Sequence, residues 1–215
     1  MATLTRNGYG QVEPNQLSAQ KTGQIYASLP LDTNVNVLQN GEFMYYDYGA
    51  GKVTAGTGTP IGEPMLVFNE IKLYEPFWRT SYKDFAMIRV GDHYVTSKLA
   101  TAGYGDGATN TGATINPAHT EYPYRMEGIC PRLFKTNIGD IMTTNMVALT
   151  QVSGTTETAI DYEVGNYLTP VKNDDTKTLV LTKTTSTSGT GMLWVVAKVY
   201  TMPDGQPGLK LQRVR

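Results

Sequence analysis

The chain has 215 residues, of which 40% are hydrophobic and 17% are charged, and its formal net charge is -1. This length is sufficient for one large domain or two small ones with a real hydrophobic core. The basic residues are scattered, whereas phosphate neutralisation needs clustered cations, so nucleic acid is excluded as the main partner. No apolar run approaches the roughly 20 residues of a membrane span. We therefore expect no membrane partner and synthesis in a cytoplasm.

Residues 1–20 are predicted to form an extended N-terminal arm. The segment is polar and poor in charge, Gly8 and Gly10 flank Tyr9, and Pro14 follows. It has no helical period of apolar residues. An isolated segment of this kind cannot bury enough apolar surface to offset the entropy of ordering it. It is either a flexible terminus or a strap that becomes ordered on a neighbouring chain, and the strap would make the protein an assembly component.

Residues 21–130 are predicted to be β-rich but irregular, with long loops. Short runs typical of strands recur between turn signals, and they cover 24–29, 42–48, 64–68 and 71–74. The dipeptide Asn40-Gly41 favours a hairpin-type turn before the second run. Residues 82–90 fit a strand or an irregular segment. Two stretches rich in glycine, 49–62 and 100–124, are interpreted as loops, and we expect 49–62 and 101–121 to contact neighbouring subunits.

Residues 131–215 carry the most regular β pattern. A soft boundary near Cys130-Pro131 separates this region from the irregular one. The runs that alternate or are continuously apolar cover 140–149, 159–164, 167–171, 177–182, 192–200 and 209–214. Six short strands at this spacing predict an antiparallel β-barrel or sandwich body, closed or nearly closed. Because the run at 192–200 is apolar on both alternating faces, we expect a central strand there.

The sequence offers few residues for catalysis. Only His93 and His119 could serve a histidine-dependent mechanism, and neither lies near a nucleophile motif. Cys130 is the single cysteine, so a disulfide within the chain and a cysteine zinc site are excluded. Asp174 and Asp175 could contact a calcium ion, but solvated turn carboxylates are the more ordinary interpretation. We predict no enzyme and no catalytic, cofactor or metal residues.

Tyrosine is unusually common, with 14 copies against 5 Phe and 2 Trp. Tyrosine is amphipathic and enriched at protein interfaces. The alternatives are a core lined by tyrosines and a platform that binds carbohydrate. Aromatic residues crowd one part of the chain, at Tyr45, Tyr46, Tyr48, Tyr74, Phe77, Trp78 and Tyr82. Together with the arm they give the candidate partner-binding residues, which are Arg6, Tyr9, Val12, Leu17, Tyr45, Tyr46, Tyr48 and Trp78.

Several stretches together resemble small β-rich virion proteins encoded by tailed phages and prophages of Gram-positive bacteria. The likeness is one of overall pattern, and the stretches are 4–13, 64–74, 82–86, 134–140, 194–200 and 203–207. Many such proteins are similar to capsid cement or decoration proteins. The resemblance implies a β-barrel body on the outside of an icosahedral head, commonly as trimers or dimers at local symmetry axes. It implies no catalytic residues.

The sequence therefore favours a phage capsid decoration protein that binds the outer surface of the head and stabilises contacts between capsomers. Its expected partners are the major capsid protein and copies of itself, as a trimer or dimer, and its expected location is the exterior of the virion head. An arm that adds a strand to a sheet edge, repeated by symmetry, would supply the contact. The alternatives are a tail-tube or head–tail connector protein, and a virion module that binds host glycans.

Overall fold

A computed structural model describes most of the chain outside a long central stretch. The described residues are 2–6, 10–32, 34–35, 37–56, 62–68, 86–89, 131–153, 156–202 and 205–215. The predicted loop at 101–121 lies outside them. So do Tyr9, Trp78, both histidines and Cys130, and also the predicted run at 71–74.

The regular secondary structure of the described part is almost all strand, with one short helix, α1 (Ser18–Thr22). The strands before the central gap are β1 (Ala2–Thr3), β2 (Val12–Gln16), β3 (Ile25–Tyr26), β4 (Val37–Gln39), β5 (Phe43–Asp47), β6 (Lys52–Thr54) and β7 (Met65–Val67), with β8 (Ala86–Arg89) inside it. The strands after the gap are β9 (Leu133–Phe134), β10 (Ile141–Thr144), β11 (Thr150–Ser153), β12 (Thr156–Ala159), β13 (Asp161–Tyr162), β14 (Tyr167–Asn173), β15 (Thr178–Thr184), β16 (Trp194–Thr201) and β17 (Pro207–Arg213).

One large antiparallel sheet organises the molecule. Its strand order is β2-β10-β17-β16-β14-β15-β5-β7-β9-β3, and β6 pairs with β5 beside this path. The sheet curls into a half-barrel, which confirms the prediction of a mainly β, antiparallel body. The outermost strands are β2 and β3, so the curl ends at two separate edges within the described chain. Strands from all three predicted regions pair in this sheet, as β2 with β10 and β5 with β15 show.

The strands after residue 160 follow the sequence pattern closely. Strands β14 and β15 form a hairpin over seven residue pairs, and β16 and β17 form the next one. The prediction that 192–200 forms a central strand is confirmed, since β16 lies between β14 and β17. Its two faces are not equally buried, however: Trp194 and Val196 lie in the core, while Ala197 and Lys198 are exposed. The register shifts between Val196 and Lys198, so a bulge changes which side chains face the core.

The Asn40-Gly41 turn is present but does not close a hairpin. Gly41 has a left-handed φ of 93°. The strands on either side of the turn do not pair with each other, because β4 pairs with β8 while β5 pairs with β6, β7 and β15. A Cβ at Gly41 would lie 2.5 Å from the Cβ of Met146, so the turn packs against the segment that follows β10. The turn dipeptide was identified correctly, and the pairing that it implied was wrong.

The loop predicted at 49–62 contains structure that the sequence did not indicate. Strand β6 pairs with β5, and Val53 is fully buried. Backbone bonds also tie β6 to the preceding chain, because Val53 N donates to Pro30 O at 2.8 Å and Asp32 N donates to Val53 O at 2.8 Å. Strand β6 therefore belongs to the body, while residues 48–51 before it form an exposed turn.

The described N-terminal residues are not helical as far as Leu17, but α1 begins at Ser18 inside the predicted arm, and these residues pack on their own chain. Strand β1 pairs with β13, and β2 pairs with β10 at one edge of the large sheet. Leu4 is 4% exposed and Leu17 is 1% exposed, so both belong to the core. The hypothesis that this segment gains order only on a neighbouring chain is therefore wrong for these residues. The sequence argument treated the segment as isolated, whereas β10 and β13 supply the surface that orders it.

Candidate interaction surface

Three tyrosines form a continuous aromatic cluster that runs from the core to the surface. The ring centroids of Tyr26 and Tyr46 are 5.3 Å apart, and those of Tyr46 and Tyr48 are 5.0 Å apart at an interplanar angle of 71°. Such tilted and edge-to-face contacts are the favoured geometry of aromatic pairs. Tyr46 is 5% exposed, whereas Tyr48 is 70% exposed. We call Tyr26, Tyr46 and Tyr48 the tyrosine cluster; it holds one exposed ring against a buried one.

The local backbone explains why neighbouring tyrosines differ so much in exposure. Tyr46 belongs to β5 and its hydroxyl accepts a hydrogen bond from Ser28 N at 3.2 Å. Tyr48 begins the turn between β5 and β6, where the strand has ended. Tyr45 is partly buried opposite Thr54 in the β5–β6 ladder, and burial raises the pKa of its hydroxyl. Of these three tyrosines, Tyr48 in the turn is the one whose side chain is largely exposed.

The structure places three of the predicted site residues together on one hairpin. Tyr45, Tyr46 and Tyr48 share the β5–β6 hairpin, and only Tyr48 among them is exposed. Tyr46 is buried in its own chain and cannot be a direct partner contact in this conformation. Tyr9 and Trp78 lie outside the described residues.

The candidates from the N-terminal segment contact their own chain. Arg6 is half-buried, and its Nη1 donates to Asn145 O at 3.5 Å and to Val147 O at 3.4 Å. Val12 lies on β2 and packs against the core, and Leu17 is inside the core. These three residues act within the fold and not as free partner contacts.

Three short hydrogen bonds fix the chain where it enters β2. Gly10 N donates to Gln39 Oε1 at 2.6 Å, and Gln11 N donates to Asn145 Oδ1 at 2.7 Å. The hydroxyl of Thr144 donates to Gln11 O at 2.6 Å. Side chains at the end of β4 and at or just after the end of β10 thus satisfy backbone groups of the N-terminal segment, which is what buried backbone requires.

A buried carboxylic acid, Glu42, lies beside this entry point. It is fully buried, and its two oxygens accept hydrogen bonds from Gln39 N at 2.7 Å and from the Thr178 hydroxyl at 2.9 Å. Burial raises the pKa of Glu42 to about 7, and the two hydrogen bonds and the charge of Arg6 oppose that rise. Sequence reasoning missed this group. The only signal is a glutamate between a turn and the apolar pair Phe43-Met44.

A second buried carboxylate joins α1 to the sheet. Asp140 accepts hydrogen bonds from Ser18 N at 3.0 Å, from the Ser18 hydroxyl at 2.9 Å and from Asn137 N at 2.9 Å. Asn137 Nδ2 also donates to the Ser18 hydroxyl at 2.7 Å. Asp140 therefore caps the start of α1 from a distant part of the chain, and the role is structural.

Replacing Gly10 with alanine is expected to destabilise the fold. A Cβ there would lie 2.3 Å from Asn40 O and 2.9 Å from Met146 Sδ, so the backbone would have to shift and the bond to Gln39 would weaken. We expect a loss of about 1–3 kcal/mol, measured by urea unfolding. Gly191→Ala is the matched control, because nothing lies within 4 Å of its Cβ position. Equal stability of the two variants would contradict this packing.

The described residues show no site for metal chemistry and no membrane-spanning helix. No group of three or more His, Cys, Asp or Glu side chains is placed to hold a metal ion in this part of the chain. Asp174 instead lies 3.8 Å from Lys172 Nζ and 4.0 Å from Lys177 Nζ. No helix among the described residues is long and apolar enough to cross a bilayer.

No protein-family model, no curated protein and no solved structure matches the chain. What the protein does is therefore inferred from its residues and their geometry. The feature of the described surface that bears most directly on recognition is the exposed ring of Tyr48, supported from below by Tyr46.

Proposed function

We propose that the chain is a structural protein of a tailed-phage virion, a capsid decoration protein that binds the outer surface of the head. In this role it stabilises contacts between capsomers of the major capsid protein. The resemblance of its sequence blocks to small β-rich virion proteins motivates the proposal. The antiparallel half-barrel is compatible with it.

The exposed tyrosine of the cluster is the observation that carries the proposal. An aromatic side chain has few rotatable bonds, so little entropy is lost when it is immobilised in an interface. Interface hot spots are enriched in tyrosine, and they work best when the ring is already held in place. Tyr48 is suited to this role because its side chain is 70% exposed to a partner while its ring is held against that of Tyr46.

The proposed partner contact shifts from the N-terminal arm to the β5–β6 turn. The described part of the arm is already paired with β10 and β13, so it has no need of a neighbour to become ordered. The net charge of -1 allows many copies to lie close together without strong repulsion. Repetition by symmetry then multiplies a modest contact at each copy through avidity.

Tyr48→Ala is expected to weaken binding to undecorated phage heads at least about tenfold, because truncating an aromatic anchor typically costs more than 1 kcal/mol. Binding is measured by co-sedimentation of the purified chain with heads. The unfolding free energy should change by less than about 0.5 kcal/mol, since the side chain is exposed. Val164→Ser is the matched control, because Val164 is an exposed apolar residue at 65% in another turn.

Head binding, electron microscopy and glycan binding together separate the alternative functions. Unchanged head binding by Tyr48→Ala would remove Tyr48 from the interface, and no binding by the unaltered chain would contradict decoration. Stacked rings of the purified protein in electron micrographs would favour a tail-tube or connector subunit. Binding to cell-wall glycans without any capsid would favour a host-glycan module, with Tyr48 stacking on sugar.

A further inference from the structure

An open cleft lies on a part of the surface that the proposed function does not use. It has a volume of about 180 Å³ and is lined by residues between β3 and β4, by residues at the end of β6, and by residues of β14 and the turn that follows it. An apolar cavity of about 150 Å³ is large enough for benzene, so this volume accommodates a small organic ligand. We call it the lysine cleft, and the residues used below are Asp32, Val35, Thr54, Ala55, Lys172 and Lys177.

The inner wall of the lysine cleft has apolar side chains and one carboxylate, Asp32, whose charge is already paired. Val35 is 5% exposed and Ala55 is 8% exposed, so both present hydrocarbon with little access to water. Asp32 is also nearly buried, but Lys52 Nζ lies 2.9 Å from its Oδ2, and Asn34 N donates to its Oδ1 at 3.0 Å. The carboxylate is thus already satisfied, and the inner wall is suited to an aliphatic group.

Two lysines that line the cleft share one exposed carboxylate. Lys172 and Lys177 both line it, and both approach the same carboxylate oxygen of Asp174, at 3.8 Å and 4.0 Å. Asp174 is 83% exposed on its side chain, and ion pairs of this kind contribute little in water. A ligand carboxylate can therefore replace Asp174 as the partner of these lysines.

The backbone at Lys177 is left-handed. Lys177 has a φ of 58°, and it is the one non-glycine residue with positive φ among the residues that the structure describes. Glycine and asparagine adopt this left-handed conformation at lower cost than lysine does. The turn between β14 and β15 imposes this conformation, since Lys177 N donates to Asn173 O at 2.9 Å where the hairpin closes.

We propose that the lysine cleft binds a small aliphatic carboxylate. The carboxylate lies between Lys172 and Lys177, and a hydrocarbon part of about four to six carbons lies against Val35 and Ala55, in keeping with the volume. The same chemistry occurs in a free fatty acid of short chain and in the C-terminal residue of a peptide that ends in leucine or valine. Both present one carboxylate beside one short apolar group.

Calorimetric titration of the full chain tests the site with 4-methylpentanoate, its neutral amide and N-acetyl-alanyl-leucine. We expect saturable binding of the free acid, at least tenfold weaker binding of the amide, and weaker binding at high salt. Binding of the peptide as tightly as the acid would identify a polypeptide terminus as the source, and rejection of the peptide would identify a free acid. Equal binding of acid and amide, or no binding of either carboxylate, would overturn the proposal.

Lys177→Gly distinguishes a binding role from a structural one. We expect it to weaken carboxylate binding at least tenfold while the thermal midpoint stays the same or rises, because glycine relieves the left-handed backbone. Lys172→Gln should weaken carboxylate binding without raising the thermal midpoint. Lys198→Gln is the control, since Lys198 is an exposed lysine on β16 away from the cleft lining. Unchanged binding in both cleft variants would exclude the site.

Discussion

Deleting residues 1–16 is expected to lower the thermal midpoint of the chain by at least about 6 °C, which for this length corresponds to about 2–3 kcal/mol. The deletion removes β1 and β2 and leaves the edge of β10 without its partner. It also removes Leu4 from the core and Arg6 from the neighbourhood of Glu42. These losses outweigh the entropy that the shorter chain no longer has to lose on folding.

The deletion also removes hydrogen bonds from side chains that remain in the chain. Asn145 Oδ1 and Gln39 Oε1 lose the backbone donors of Gln11 and Gly10. Thr143 loses the contact of its hydroxyl with Asn15 Oδ1, which is 2.6 Å long. Each net hydrogen bond is worth about 0.5–1.5 kcal/mol, and buried groups left without a partner cost more.

A pair of single substitutions tests the same point without a large deletion. Leu4→Ala should cost about 2–3 kcal/mol, because Leu4 is 4% exposed and part of the core. Thr5→Ala should be close to neutral, since Thr5 is exposed. Differential scanning calorimetry of both variants and of the deletion provides the measurement. A deletion that leaves the midpoint unchanged but abolishes head binding would instead restore the hypothesis of a strap ordered by its neighbour.

The strands after residue 160 were predictable because their signals are local. Alternation of apolar residues at 177–182 and the turn residues at 203–207 identify the strands β15 and β17 and the place where the chain reverses. Each of these hairpins joins neighbours in sequence, so the pattern also predicts the pairing. This is why β14 to β17 agree with the expectation.

Long-range contacts explain what the sequence could not reveal. The order of the N-terminal segment depends on β10, which lies more than a hundred residues away in the chain. The burial of Glu42 depends on Thr178, and nothing in the local pattern connects these two residues. The sequence also presents Tyr46 and Tyr48 as equivalent, and only the end of β5 between them makes one buried and the other exposed.

The lysine cleft could not be predicted for the same reason. Its lining comes from residues near 32–35, from 54–56 and from Lys172 and Lys177, three separate parts of the chain. The sequence analysis considered the neighbouring Asp174-Asp175 as a calcium site. It preferred solvated turn carboxylates, and in the structure Asp174 is an exposed turn residue with the flanking lysines nearby, which the acidic pair alone did not indicate.

The stability of the chain is expected to fall as the pH rises from about 4.5 to about 7, because of Glu42. Its ordinary pKa is 4.5, and burial raises the pKa to about 7 in the folded protein. The folded state therefore binds this proton more tightly than the unfolded state does. The stabilisation is complete below about pH 4.5 and is lost as the pH passes through about 7, a change on the order of 3 kcal/mol.

The nearby guanidinium of Arg6 reduces this effect, which burial causes. Burial lowers the pKa of Arg6 and the charge of Glu42 raises it, but arginine remains protonated across this range. Arg6→Met should consequently raise the pKa of Glu42 further and increase the loss of stability at pH 8. Glu42→Gln keeps the shape of the side chain without its charge, so it should instead reduce the loss of stability between pH 4.5 and pH 8.

Glu42→Gln is expected to flatten the dependence of unfolding free energy on pH between 4.5 and 8, because glutamine cannot ionise. Urea unfolding at half-unit pH intervals measures the slope. Glu157→Gln is the matched control, since Glu157 is exposed and its carboxylate accepts a hydrogen bond from the Thr150 hydroxyl at the surface. If Glu42→Gln kept the slope of the unaltered chain while Glu157→Gln lost it, the buried acid would not be the titrating group. A flattened slope in Glu42→Gln together with a steeper one in Arg6→Met would assign the pH dependence to the pair that lies where the N-terminal segment enters the sheet.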